Sequence, residues 1–188
     1  MSTPPSLHLY EELLLLALRD REGTIASGAW YAQALGGALL AELLLEGRVQ
    51  LVEDRKKVVA GNRAPLGDDL LDESLARIAE SDRPRTIAHW VSKLADTKDL
   101  KHRAAESLCL RDILQADRDK VLLFFDRRIY PELDPRPEEA ILERLHQAIF
   151  GHDEAEEVDA RTTLLLSLAH QTCLLRPAFV KKTLSGKK

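Results

Sequence analysis

Apolar residues crowd two stretches of this chain so densely that no polar face is left. Residues 30–51, WYAQALGGALLAELLLEGRVQL, set Ala34, Leu35, Ala38, Leu39, Ala41, Leu43, Leu44 and Leu45 in almost every direction round a helix. A helix that apolar on all sides must be wrapped by other elements. Gly47 stops it, because a glycine adopts the left-handed conformation of a helix end without a Cβ penalty. Arg48-Val49-Gln50-Leu51 then changes to the two-residue period of a half-buried strand. The run 13–18 marks a second buried helix, over residues 10–19, whose first turn carries Glu11 and Glu12 where they complement the helix dipole.

The remaining patterns are one-sided. Val49-Gln50-Leu51 and Lys57-Val58-Val59 pair across Glu53-Asp54-Arg55 as a small hairpin. After the loop 62–67, Asp68 or Asp69 caps a helix that turns Leu70, Leu71, Leu75 and Ile78 inward. Pro84 and its polar neighbours break it, and residues 86–94 carry a stripe of Ile87, Trp90, Val91 and Leu94. Residues 99–112 form a further helix with Leu100, Ala104, Leu108 and Cys109 inward. Ile113-Leu114 and the apolar run 121–124 flank Asp117-Arg118-Asp119-Lys120, which predicts a second hairpin turning at those charged residues. Prolines 131, 135 and 137 punctuate a connector to helices over 138–150 and 159–175, and 178–184 is a short amphipathic end. The expected fold is mainly α: a central hydrophobic helix surrounded by amphipathic helices, with two small β-hairpins. Residues 1–6 read as a loose leader and 7–188 as one domain.

Composition narrows the class. The chain has 188 residues, 45% hydrophobic and 31% charged, a profile of packed globular proteins. Only 5% of residues are aromatic, which favours helices on aliphatic layers. A net charge of −4 argues against a general nucleic-acid binder, including a winged-helix type. Cys109 and Cys173 lie far apart in apolar helical contexts and read as reduced core thiols in a cytosolic protein. The opening MSTPPSLHLYEE lacks the pattern of a signal peptide, and no apolar run reaches the ~20 residues of a membrane span. Any membrane contact is therefore peripheral.

Candidate chemistry is sparse. No phosphate-cradling glycine loop, nucleophile elbow or paired-cysteine motif is present. The six histidines form no i, i+4 pair, and His170 reads as a core or helix-edge residue. Acidic clusters at Asp68-Asp69 and 153–157 read as a cap and a solvated loop. No catalytic residue, metal or cofactor is expected, and a binding module fits better than an enzyme. The basic residues say more: Lys98, Lys101 and Arg103 gather at a helix start, where cations oppose the dipole. A bound phosphate would justify them there.

Several blocks resemble the Golgi phosphoprotein 3 family. They are Leu9-Tyr10-Glu11-Glu12-Leu13-Leu14-Leu15-Leu16-Ala17-Leu18 with Asp20-Arg21-Glu22-Gly23, the stretch 37–51, and the stretch 65–75, PLGDDLLDESL. Val121-Leu122-Leu123-Phe124 and Leu168-Ala169-His170 add shorter matches, all in family order. The resemblance implies a mostly helical domain acting as a peripheral membrane adaptor. Eukaryotic members of the family are peripheral Golgi proteins that bind phosphatidylinositol 4-phosphate and hold the cytosolic tails of glycosyltransferases. On that resemblance Lys98 and Lys101 bind the anionic headgroup and Trp30 packs beside it. The hairpin 117–128, with Leu122, Leu123 and Phe124, touches the bilayer or supports homo-oligomers. Two departures stand out. Gly36 occupies the place of a headgroup-binding arginine, and the family's C-terminal helices are missing, as in a compact bacterial homologue. The glycine leaves open a protein-binding scaffold or oligomerisation module without lipid binding.

Overall fold

The two stretches without a polar face become the most enclosed helices. The computed structural model describes residues 7–19, 22–25, 30–54, 56–121, 125–151 and 158–175. In it α1 spans Leu9–Ala17 and is buried at every residue, while α2 spans Tyr31–Leu45 and is buried from Ala34 to Leu43. Gly47 ends α2 with φ at +64°, and the chain enters strand β1, Val49–Val52. β1 pairs antiparallel with β2, Lys57–Ala60, in a register that sets Val49 opposite Ala60.

Helices α3 (Asp69–Ala79), α4 (Ile87–Ala95) and α5 (Leu100–Cys109) follow, with strand β3 (Arg85–Thr86) between the first two. The hairpin of β4 (Asp117–Val121) and β5 (Phe125–Ile129) leads to α6 (Arg136–Phe150) and α7 (Ala160–Gln171). The fold is mainly α with two small antiparallel sheets. α2 packs against α1, α3, α4, α5 and α7. The leader 1–6, the end 178–184 and Leu122, Leu123 and Phe124 lie outside the described residues.

Both sheets differ from the pattern-based expectation. β3 joins the free edge of β2, with Lys57 opposite Thr86, so the first hairpin is a three-stranded sheet. Two residues are too few to show an alternation, and Thr86 is extended because its hydroxyl caps α4 by accepting from the His89 N–H at 3.2 Å. In the second hairpin the charged residues form strand β4 and not the turn. Asp117 pairs with Ile129 and Val121 with Phe125, a register that sets Asp119 opposite Arg127 and Lys120 opposite Asp126. Ile113 and Leu114 are instead drawn into the core.

Three glutamates are buried, Glu11 and Glu12 of α1 and Glu42 of α2. Glu42 of α2 is fully enclosed and accepts the Leu9 N–H at 2.7 Å. Arg161 of α7 reaches the same carboxylate through both terminal nitrogens, and its guanidinium also donates to the Leu7 carbonyl at 3.3 Å. Burial pushes the Glu42 carboxyl up, but the contacts from His8, Arg161 and Leu9 outweigh it and hold the pKa at about 2. Glu12 pairs with Arg144 of α6 at 2.8 Å. Glu11 accepts from the His8 N–H, takes the Ser107 hydroxyl at 2.7 Å and lies 3.3 Å from Arg111. The start of α1 is thus a hub of charge pairs joining α2, α5, α6 and α7.

The 65–75 block is structural throughout. Gly67 has φ at +81°, and Asp68 caps α3 by accepting the N–H groups of Leu70 and Leu71. The other Asp68 oxygen accepts the Tyr10 hydroxyl at 2.7 Å, and Asp72 accepts the N–H groups of Leu66 and Gly67. Leu70, Leu71 and Leu75 fill the core. Asp68→Ala is expected to cost about 1–3 kcal/mol, from the lost cap together with a buried tyrosine hydroxyl left without its acceptor. Urea denaturation measures it, and an unchanged midpoint would contradict the assigned cap. The thiols also differ from expectation. Cys109 is half-buried, and Cys173 is exposed at a positive φ in the turn that ends α7.

Candidate functional site

A tight turn sets the two candidate lysines. α4 stops at Ala95, and Thr97 is buried, its hydroxyl accepting from Arg77 at 3.1 Å. The Leu100 N–H bonds back to the Thr97 carbonyl at 3.2 Å, and Asp99 takes a left-handed φ of +54°. Lys98 therefore projects from the turn and Lys101 from the first turn of α5. Lys98 is exposed, Lys101 half-buried. Among the described residues neither forms an ion pair. The third member of the expected cluster, Arg103, is not part of it. Its guanidinium shares the Glu73 carboxylate with Arg77, which ties α5 to α3.

The electrostatics of Lys101 come from outside its own helix. Burial pushes its pKa down, and Arg127 and Arg128 of β5 push it further. β5 and the residue after it meet α5 at two points: the Tyr130 hydroxyl is 2.9 Å from His102 Nδ1, and Arg128 is 3.5 Å from Glu106. His102 is lowered by burial, then by Lys101 and Arg128, against the opposing pull of Asp99 and Glu106. The hairpin arginines are residues that the sequence pattern did not select. They fall within the 117–128 hairpin that the resemblance puts at the bilayer, but nothing in the pattern gave either arginine a role.

Trp30 occupies the N-cap position of α2 and is 64% exposed, so it is not a packing residue. Its backbone N–H donates to the Thr172 carbonyl at 3.4 Å, which holds it to the turn after α7 and not to the lysine turn. Gly36, at the place where the resemblance puts an arginine, is enclosed. A Cβ there would lie 2.5 Å from the Val91 carbonyl oxygen and 2.6 Å from the Ala95 nitrogen. α2 and α4 meet backbone to backbone at this point, so position 36 has no route to solvent for any side chain.

A separate cleft of about 370 Å³ lies between α3 and α5, lined by Tyr10, Asp68, Arg103, Glu106, Ser107 and Leu110. Its polar groups are engaged within the protein: Tyr10 with Asp68, Ser107 with Glu11, Arg103 with Glu73. Among the described residues no group of three His, Cys, Asp or Glu side chains comes together as a metal site, and no helix is long and apolar enough to cross a membrane.

Comparison with known proteins finds one family. The family model of Golgi phosphoprotein 3 (GPP34) matches residues 9–187. Vacuolar protein sorting-associated protein 74 of Eremothecium gossypii is 30% identical over 164 residues, which cover 75% of this chain. The same alignment covers 48% of that relative, so the chain spans about half the relative's length.

Proposed function

This chain belongs to the Golgi phosphoprotein 3 family, and from that premise we propose that it is a non-enzymatic peripheral membrane adaptor that binds an anionic phospholipid headgroup. Lys98 and Lys101 take the phosphate and Trp30 packs beside the headgroup at the membrane face. The observation that carries this reading is Lys101, an ammonium half-buried beside two arginines with no ion pair among the described residues. Burial without a counter-ion is costly for a cation, and a bound phosphate removes the cost. The relative's name ties it to vacuolar protein sorting, a membrane process in which such attachment fits. By the same reading the protein works from the cytoplasmic side of the Golgi and holds the tails of membrane proteins.

Two lysines near an anionic surface contribute only about 2 kcal/mol. Firm attachment needs more. Leu122, Leu123 and Phe124, which link β4 to β5 in sequence, are the residues we assign to bilayer contact. Each large side chain buried there adds about 1.5–3 kcal/mol, and self-association would multiply the effect. Lys98→Glu with Lys101→Glu is expected to weaken sedimentation with anionic vesicles by about 30-fold or more. Binding equal to the parent would defeat the pocket assignment.

Gly36 favours one other reading, a protein-binding or self-associating scaffold that needs no lipid, because the helix that should bring an arginine to the headgroup is closed at that point. It predicts partner capture or self-association that is the same with and without vesicles.

A further inference from the structure

Arg128 of β5 is 3.5 Å from Glu106 of α5, Tyr130 just after β5 bonds His102 next to Lys101, and Arg127 and Arg128 are near enough to Lys101 to lower its pKa. Like charges at short range repel, and the half-buried ammonium has also lost part of its hydration. The sheet adds to this, since Arg118 faces Arg128 directly in the β4–β5 register, and like charges directly opposite weaken an antiparallel pair. The hairpin is nevertheless held to α5, through Tyr130 on His102 and Arg128 on Glu106. The Glu106 contact is 3.5 Å long between two side chains that are each more than half exposed. Such a pair is weak and leaves the guanidinium able to change partner.

We infer that Arg127 and Arg128 complete the anion site begun by Lys98 and Lys101 and are the guanidinium ligands of a phosphomonoester headgroup. The inference deepens the proposed function and rests on the lipid reading given there. A lysine offers a compact point charge, whereas a guanidinium binds two phosphate oxygens in a fixed fork. α2 cannot supply that fork, because position 36 is closed by the α4 backbone. β5 brings two guanidinium groups to Lys101 instead. A phosphomonoester carries nearly two charges and three strong acceptor oxygens, which suits several converging cations better than a headgroup of single net charge.

The test compares two vesicles of equal surface charge. One is phosphatidylcholine with phosphatidylinositol 4-phosphate, the other phosphatidylcholine with phosphatidylserine. The parent is expected to prefer the first roughly tenfold, the worth of one good charge-assisted fork. Arg127→Lys with Arg128→Lys keeps the charge, and both sites are exposed, so the fold should be retained; each single variant guards against its loss. The double variant is expected to lose the preference while still binding phosphatidylserine vesicles. Lys98→Glu with Lys101→Glu is expected to lose both. Adding millimolar inorganic phosphate separates the sources of the ligand. Retention on the vesicle identifies the lipid headgroup and release identifies the free anion, and either supports a phosphate site if the lysine-for-arginine variants show no such response. A preference unchanged in Arg127→Lys with Arg128→Lys overturns the arginine assignment alone. A parent that binds neither vesicle overturns the lipid reading and this inference with it.

Discussion

Replacing Arg161 with methionine is expected to lower the thermal midpoint by about 6–20 °C, the effect of about 3–5 kcal/mol on a domain of this size. Arg161 is the partner that makes a fully buried Glu42 tolerable. Without it the carboxylate keeps only the Leu9 N–H and the His8 imidazole, 3.5 Å away. The loss comes from leaving a charge enclosed, not from the net worth of the pair. Glu42→Gln combined with Arg161→Met should therefore recover much of the stability, because the amide oxygen still serves Leu9 and no charge remains buried at position 42. Thermal unfolding followed by circular dichroism measures both variants. A single variant as stable as the parent, or a double variant no better than the single, would contradict the account.

The same residue sets the acid limb of stability. Its folded pKa of about 2 lies below the ordinary 4.5. A depressed carboxylate contributes fully above the unfolded value and loses that contribution as pH falls toward the folded one. The parent should thus lose stability between pH 4.5 and about 2. In Arg161→Met this limb flattens, since the folded pKa rises. Glu12 acts with the opposite sign: burial raises its pKa against the pull of Arg144, so protonation relieves a cost as pH falls.

Gly36→Arg is expected to unfold the protein and not to tighten lipid binding. The substitution looks like a repair, because it returns an arginine to the place the family resemblance assigns it. The first atom beyond the backbone already meets the Val91 oxygen at 2.5 Å and the Ala95 nitrogen at 2.6 Å. Both are backbone atoms of α4 and have no rotamer with which to move aside. Overpacking by a methyl alone costs about 1–3 kcal/mol, and an arginine adds a buried unpaired charge. Gly36→Ala should lower the midpoint measurably, and Gly36→Arg should give little soluble folded protein. A Gly36→Arg variant that folds normally and binds anionic vesicles more tightly would mean that α2 and α4 can part here, and that the closure is wrong.

Much of the fold was legible because burial leaves a period. The runs 13–18 and 34–45, the Gly47 stop, the Asp68 cap and the stripe through Trp90 and Leu94 all follow from local rules that act within a few residues. The second hairpin was misplaced because charged residues read as a turn wherever the partner strand is unknown. In the structure the same residues pair with β5, Asp119 in register with Arg127 and Lys120 with Asp126. The burial of Glu11, Glu12 and Glu42 was not legible for a related reason. A glutamate in a helix looks solvated until an arginine about a hundred residues away or more arrives to neutralise it, as Arg161 does for Glu42.

The candidate site divides in the same way. Sequence by itself determined the family, the helical core and the spacing of Lys98 and Lys101 on one turn, since each depends on neighbours along the chain. Only the tertiary structure decided that Arg103 belongs to Glu73, that Trp30 stands exposed, that Gly36 is sealed by α4, and that β5 brings Arg127 and Arg128 to Lys101. Charge and close approach are pairwise properties through space, and no local pattern along the chain encodes which distant residue will complete the pair.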